Sequence, residues 1–216
     1  MEIKYFGHSC FLLRDKNATL LIDPFSPEVG LKLPRIATDI VTVTHDHYDH
    51  NNTGIVQAKM REEPFIIKGP GEYEVSGVSI FGVATYHDNS LGKERGRNTI
   101  YIIIMDGIRL AHLGDLGHVL TDEQLEEVNG VDILFIPTGG IYTLDAKEAV
   151  EVIGQIEPRV VIPMHYQLPG LKIKLNPVED FLKEMGLKEI KPLDKLVISR
   201  ERLPEEREVV VLNAKS

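Results

Sequence analysis

Tryptophan is absent from this chain of 216 residues, and there is one cysteine. With Cys10 alone, neither an intrachain disulfide nor a cysteine-built zinc knuckle can form, which suits a reducing compartment. Long hydrophobic runs are missing too. Stretches such as "IYIIIM" at 100–105 fall far short of the roughly 20 residues a membrane helix needs. The opening "MEIKYFGHSCFLL" lacks the basic segment and long apolar stretch of an export signal. Positive charge is scarce: 24 Lys and Arg face 33 Asp and Glu, for a net charge of −9. Such a surface repels phosphate backbones and disfavours broad nucleic-acid binding, although a local basic groove stays open. The expectation is a soluble cytoplasmic protein acting on a small molecule, with neither nucleic acid nor membrane as partner. Oligomeric state is unreadable.

What is present is an ordinary globular mixture, 43% hydrophobic and 26% charged, long enough for a sizeable core and expected to form one domain over 1–216. The first 45 residues read as short strands, Ile3 to Phe6, Cys10 to Leu13 and Ala18 to Ile22, split by "GHS" and "DKN". "DIVTVT" (39–44) is another strand, and "NNTGIVQAKMREE" (51–63) reads as a short helix. Strands follow at 65–68, 78–85, 98–105 and 108–113, the last two joined by the hairpin turn "DG". "GPGEYE" (69–74) lacks the ending of a phosphate loop and reads as a turn into a strand. The second half alternates helices with the buried strands "DILFIP" (132–137) and "RVVIPMH" (159–165). Thr121 with Gln124, and Asp145 with Glu148, have capping-box spacing, and a third helix starts around Asn176, Pro177 and Glu179 and stops at Gly186. "KLVISRE" and "REVVVLN" look like a closing β-pair. Meanders early and strand–helix alternation late imply an α/β layered architecture.

One stretch stands out. "VTVTHDHYDH" (41–50) packs three histidines and two aspartates into the six positions after a β-branched run. In an extended segment His45 and His47 would point the same way and could bind one metal ion. Past the turn, Asp49 and His50 could face a second position. Imidazole and carboxylate ligands suit Zn, Mn or Fe, and a site with one position left open is catalytic. Further ligands must come from elsewhere. His165 in "VVIPMHY" and His87 in "ATYHD" sit at strand ends, and Asp115 in "AHLGDLGH" lies in a Gly-flanked turn, where a short carboxylate could bridge two cations.

Taken in order, "LIDP" (21–24), "THDHYDH" (44–50), "YHD" (86–88), "LGD" (113–115) and "PMHY" (163–166) resemble the motifs of the metallo-β-lactamase-fold hydrolase superfamily, and they cover most of the chain. "YFGHSCFLL" with "GDLGH" is most similar to its small ascorbate-6-phosphate-lactonase-like branch. The resemblance implies an αββα four-layer sandwich, two mixed sheets flanked by helices, with the metals at one edge. It implies two divalent ions, Zn or Mn with Fe a further option. His45, His47 and His87 would hold one; Asp49, His50 and His165 the other; Asp115 would bridge. His112 competes with His87 for the third histidine place, and the strand-end setting upstream of "GD" favours His87. Asp23 matches the aspartate that orients a ligand histidine. His112 then becomes a buried neighbour. His8 and His118 are candidates for contact with a ligand or the substrate, Tyr142 for the pocket wall, and Gly139 and Gly140 for close substrate approach.

The implied reaction is attack of a metal-bound hydroxide on an ester, lactone or phosphoester, with Asp49 directing its proton and Asp115 between the ions as the two catalytic carboxylates. The alternatives are a metal-dependent nuclease or phosphodiesterase of the same superfamily, and a metal-binding module without activity. The former usually carries a nucleic-acid-binding insertion or arm not seen here, and the full ligand set argues against the latter.

Overall fold

The computed structural model describes residues 1–59 and 62–215. Strands β1 (Glu2–Gly7), β2 (Cys10–Arg14) and β3 (Thr19–Ile22) form an antiparallel meander. They are followed by β4 (Ala37–Thr38), β5 (Ile40–Val43), β6 (Gln57–Ala58) and β7 (Phe65–Lys68). A second antiparallel run comprises β8 (Gly71–Val75), β9 (Val78–Tyr86), β10 (Arg97–Met105) and β11 (Ile108–His112). Then come α1 (Asp122–Val128), β12 (Ile133–Pro137), α2 (Ala146–Ile156), β13 (Val160–Met164), α3 (Val178–Glu184), β14 (Leu196–Val197) and β15 (Glu208–Val209). One mixed sheet has the order β14-β1-β2-β3-β5-β7 and the other β15-β13-β12-β11-β10-β9-β8; β4 and β6 pair apart.

Residue parity decides what packs where, because successive strand side chains point to opposite faces. Tyr5, Phe11, Leu13, Leu20 and Ile22 of the first sheet meet Tyr101, Ile103, Phe135 and Ile162 of the second in the central core. The intervening residues of the second sheet, among them Ile100, Ile102, Leu134 and Val161, face outward and are covered by Val152 and Ile153 of α2 and Phe181 of α3. Outward residues of the first sheet, Cys10, Leu21, Val41 and Val43, pack beneath Val29, Leu31, Leu171 and Leu175. The four layers of the αββα sandwich are thus present, with the layer outside the first sheet drawn in loops and a 3-10 turn at Pro27–Val29. Both capping boxes form, at Thr121 with Gln124 and at Asp145 with Glu148. Asp106 and Gly107 take positive φ, 53° and 72°, as a tight two-residue hairpin requires. Among the described residues no helix is long and apolar enough to cross a membrane.

Two expectations fail. The segment 51–63 is not a helix: a 3-10 turn at Thr53–Ile55 is followed by β6, which pairs with β4, while 60 and 61 lie outside the described residues. Gly54 flanked by β-branched Thr53, Ile55 and Val56 has weak helix propensity, so pairing wins. The two C-terminal runs do not pair as a hairpin. β14 adds to β1 in the first sheet and β15 to β13 in the second, so each sheet gains an edge strand from the tail. The linking "SRERLPEER" supplies no two-residue turn.

Tyr101 ties the sheets together immediately below the site. Its buried hydroxyl donates to the Val43 carbonyl at 2.9 Å and accepts from the Gly69 N–H at 2.8 Å. Tyr101→Phe would leave both backbone groups without this partner and should lower unfolding free energy by about 1–3 kcal/mol in a denaturant titration. An unchanged midpoint would show that the link contributes nothing.

Candidate metal centre

Every candidate ligand follows the C-terminal end of a strand, the edge where open α/β sheets present their ligands. In the first sheet β1, β3 and β5 run in one direction and lead into His8, Asp23 and His45. In the second, β9, β11 and β13 run alike and lead into His87, Asp115 and His165. The histidine segment itself is not extended: β5 stops at Val43, and 44–50 form bends and turns. His45 and His47 nonetheless face one space, their rings 4.5 Å apart, because the bends replace the strand alternation.

The centre of the cluster is Asp115. Its Oδ2 lies 3.1 Å from His165 Nε2, 3.2 Å from His50 Nε2, 3.2 Å from His87 Nε2 and 3.9 Å from His45 Nε2. Three overlapping trios keep their ligand atoms within 4.8 Å of one another: His45, His47 and His87; His45, His50 and Asp115; His8, His50 and His165. Asp49 sits at the open side, its Oδ2 3.8 Å from His50 Nε2 and 3.0 Å from His8 Nε2. The seven candidate residues lie together in one cluster, with Asp49 at its edge outside the three trios and His8 inside one of them.

A fixed frame surrounds the cluster. Buried Asp23 accepts from the Thr44 N–H at 2.8 Å and the Thr44 hydroxyl at 2.7 Å, and its Oδ2 lies 2.8 Å from His50 Nδ1. Thr44 Oγ1 also lies 3.0 Å from His45 Nδ1. Both imidazoles thus have Nδ1 engaged and Nε2 turned to the centre. The backbone N–H of Asp115 donates to Asn98 Oδ1 at 3.1 Å.

Buried imidazole nitrogens ordinarily have partners. Here Nε2 of His45 and His50, and Nδ1 of His8, His87 and His165, are buried without a hydrogen bond among the described residues. Burial, with His50 beside it, pushes His45 well below the usual histidine range, so its lone pair is free at neutral pH. Burial opposes charging of His50, yet Asp115 and Asp23 pull it well above that range; a cation at Nε2 would displace the proton. Burial would raise Asp115, but His165 and His50 hold it well below the usual carboxylate range. A buried carboxylate amid lone pairs with no other use is a donor set that fits divalent cations.

The chain's sequence and fold place it among known proteins. The family model described as the beta-lactamase superfamily domain matches residues 2–165. The chain belongs to this family. A protein of Archaeoglobus fulgidus named as a metal-dependent hydrolase is 31% identical over 216 residues, 87% of this chain and 92% of its own. A Thermotoga maritima structure assigned as a Zn-dependent hydrolase of the metallo-β-lactamase superfamily is 40% identical with a TM-score of 0.79, covering 98% of this chain and 97% of that one. The isothiocyanate hydrolase of Delia radicum gut bacteria shares the fold at 16% identity and a TM-score of 0.66, over 92% of this chain and 99% of its own.

Within this superfamily frame the remaining candidates separate. His112 is in the core: Nε2 lies 2.9 Å from the Ser9 carbonyl oxygen, Nδ1 accepts from the Gly114 N–H at 3.2 Å, and the ring packs on Phe11 and Phe135. His118 does not reach the cluster. Its Nδ1 lies 2.8 Å from the Val119 carbonyl oxygen and Nε2 accepts from the Tyr86 N–H, so both nitrogens serve the backbone. Tyr142 does line the cavity over the cluster. Gly139 serves a different purpose from the expected substrate approach: a Cβ there would lie 2.1 Å from the His165 carbonyl oxygen, so its smallness lets the loop close on the ligand strand. Sequence inspection missed Thr44, although it lies inside the histidine stretch, and Asn98, for which no local signal existed.

Asp23→Asn keeps the shape but removes the charge facing His50. Metal affinity, measured by chelator competition, should fall by roughly 10- to 100-fold, whereas His112→Asn should stay within about twofold and lose stability instead. Equal affinities in both variants would mean that His50 needs no orienting carboxylate.

Proposed function

We propose that this chain is a metal-dependent hydrolase that cleaves an ester, lactone or phosphoester of a small molecule in the cytoplasm, with two divalent cations held by one domain. The observation that carries the proposal is the Asp115 carboxylate, set among four inward-facing imidazoles whose outer atoms are fixed or buried. His45, His47 and His87 would hold one ion, Asp49, His50 and His165 the other, and Asp115 would lie between. Zn or Mn suits this imidazole–carboxylate set, and Fe is compatible. When bound, such ions supply Lewis acidity and make water acidic enough to lose a proton near neutral pH.

The protein's own groups do the rest. Asp49 lines the cavity and is ionised: burial alone would raise it, but the hydrogen bond from His8 and the proximity of His50 hold it below the usual carboxylate range. An ionised carboxylate at the open face can accept a proton from water and aim it at a substrate carbon or phosphorus. Burial, reinforced by His165, pushes His8 down to about 4, so it is neutral and its Nε2–H donates to Asp49. Asp23 and Thr44 hold the ligand rings, so little reorganisation is needed as charge develops. No Ser or Cys nucleophile is required, and Cys10 is buried away in the outer core of the first sheet.

The metallo-β-lactamase superfamily relatives named as hydrolases support this reading. The net charge of −9 favours a small substrate over a polynucleotide. Chelation should abolish turnover on a panel of lactones, esters, thioesters and phosphodiesters, and Zn or Mn should restore it. Asp115→Ala should cut kcat by at least about 100-fold with the fold intact by circular dichroism. Full activity of that variant would place catalysis elsewhere, and metal-dependent cleavage of folded RNA would favour a nuclease.

A further inference from the structure

The cluster opens into a cavity of about 840 Å³ whose lining gathers cations on a chain that is otherwise rich in acid. The chain carries an excess of acid, yet Arg95, Lys172 and Lys174 line this cavity, and Asp46 is its one carboxylate besides Asp49 and Asp115. Asp46 is already engaged, accepting from Asn51 Nδ2 at 2.6 Å. Lys172 and Lys174 are not among the ion-paired lysines of the described residues, which are Lys4, Lys59, Lys195 and Lys215; Arg95 has Glu94 Oε2 3.7 Å from its Nη1.

These cations are held in place. Asp88, directly after His87, accepts from the backbone N–H groups of Ser90, Gly92, Glu94 and Arg95 at 2.8–3.0 Å, which closes the loop and fixes the point from which the Arg95 side chain leaves it. The guanidinium then lies 5.8 Å over the ring of Tyr142, a cation–π arrangement that keeps it at the mouth. On the other side, Leu171 and Leu175 are buried under the first sheet, so the alternating Lys172 and Lys174 are exposed, with Ile173 part-buried between them. The Lys172 N–H donates to the Val29 carbonyl at 2.8 Å, and Gln167 Oε1 accepts from the Leu175 N–H at 3.1 Å, pinning the loop at both ends.

Resting on the hydrolase reading above, we propose that Lys172, Lys174 and Arg95 form an anion seat. The substrate is then a small ester, lactone or phosphoester bearing a carboxylate or phosphate set apart from the scissile bond. Its body lies against Tyr142 and Ile173 while the reacting group faces Asp115. The seat makes these residues determinants of specificity: Asp49 and any metal held beside Asp115 would serve whatever bond is brought to them, and the seat selects which molecule brings it.

Two measurements test the seat on the full chain as purified. The first compares para-nitrophenyl acetate with mono-para-nitrophenyl succinate. The parent should favour the anionic ester by at least about tenfold in kcat/KM, mostly through KM, and the Lys172→Ala/Lys174→Ala variant should lose most of that preference. Lys68 and Arg97 line a neighbouring cavity that shares Arg95, and the Lys68→Ala/Arg97→Ala variant should retain the preference within about twofold. Equal losses in the two variants would mean a diffuse field and overturn the seat, as would no preference in the parent. The second measurement follows inorganic phosphate by phosphorus NMR and acetate by proton NMR. Saturable binding in the parent that is lost in Lys172→Ala/Lys174→Ala supports the seat, and the tighter anion shows whether phosphate or carboxylate is preferred. Binding unchanged in the variant overturns it. If neither ester is hydrolysed, the ester arm of the hydrolase reading fails while its lactone and phosphoester arms rest on the panel above, and the titrations still decide the seat. Faster cleavage of a single-stranded oligonucleotide than of either ester would overturn the small-molecule assignment.

Discussion

The structure depends on one unusual burial: a carboxylate, Asp115, held away from water among imidazoles from both sheets. An isolated buried carboxylate is costly, and buried nitrogens without partners add to the cost. A protein alone would ordinarily pair them or neutralise them. A metal would use the carboxylate and the inward-facing Nε2 atoms together, which is why the centre reads as incomplete on protein terms. Much of the surrounding architecture serves to bring His165, His50, His87 and His45 to that single carboxylate. The Tyr101 hydroxyl fixes one sheet against the other directly beneath them.

Local backbone preference yields to this requirement. His8, Asp23 and His165 have φ of 55°, 46° and 52°, in the left-handed region that non-glycine residues seldom occupy. Each costs on the order of 1 kcal/mol or more, and each immediately follows a strand. The left-handed residue turns the chain sharply at the sheet edge, so that the side chain is delivered inward and not along the strand direction. The carbonyl of His8 accepts from the His165 N–H at 2.8 Å and from the Tyr5 hydroxyl at 2.8 Å, which joins two strained positions from opposite sheets. Strain at the site is balanced by hydrogen bonds made across it.

What could be read from the sequence follows from range. Strand positions and their faces were legible because parity is a local property, and β10 and β12 keep it without interruption. The histidine stretch was legible because four candidate groups fall within six residues. His87, Asp115 and His165 were reachable through their setting at strand ends, helped by the order of motifs. The bond between His8 and Asp49 was not, since 41 residues separate them and nothing local marks the pair. The tail was misread for a related reason: two apolar runs close in sequence suggest a hairpin, but each met a free sheet edge that only the assembled sandwich provides. The 51–63 segment shows the converse, where polar helix-like composition was outweighed by a glycine and the partner strand β4.

The ligand bed and its rim are built by different means, and that separation has a consequence for specificity. The bed comes from strand ends and from Asp23, Thr44 and Asn98, all buried, so altering any of them disturbs several bonds. The rim comes from three loops, 88–96, 138–145 and 166–176, each fastened by its own device. These are the Asp88 cage, the close approach of Gly139 to His165, and the anchors Leu171 and Leu175. A side chain on such a loop can change without moving the bed, because the fastening residues and the exposed ones are different residues. Substrate choice in this frame therefore sits in positions like Lys172, Lys174 and Tyr142, while the capacity for hydrolysis sits in the strands. A shared fold then supplies the ligand bed, and what is done there is left to the site and its rim.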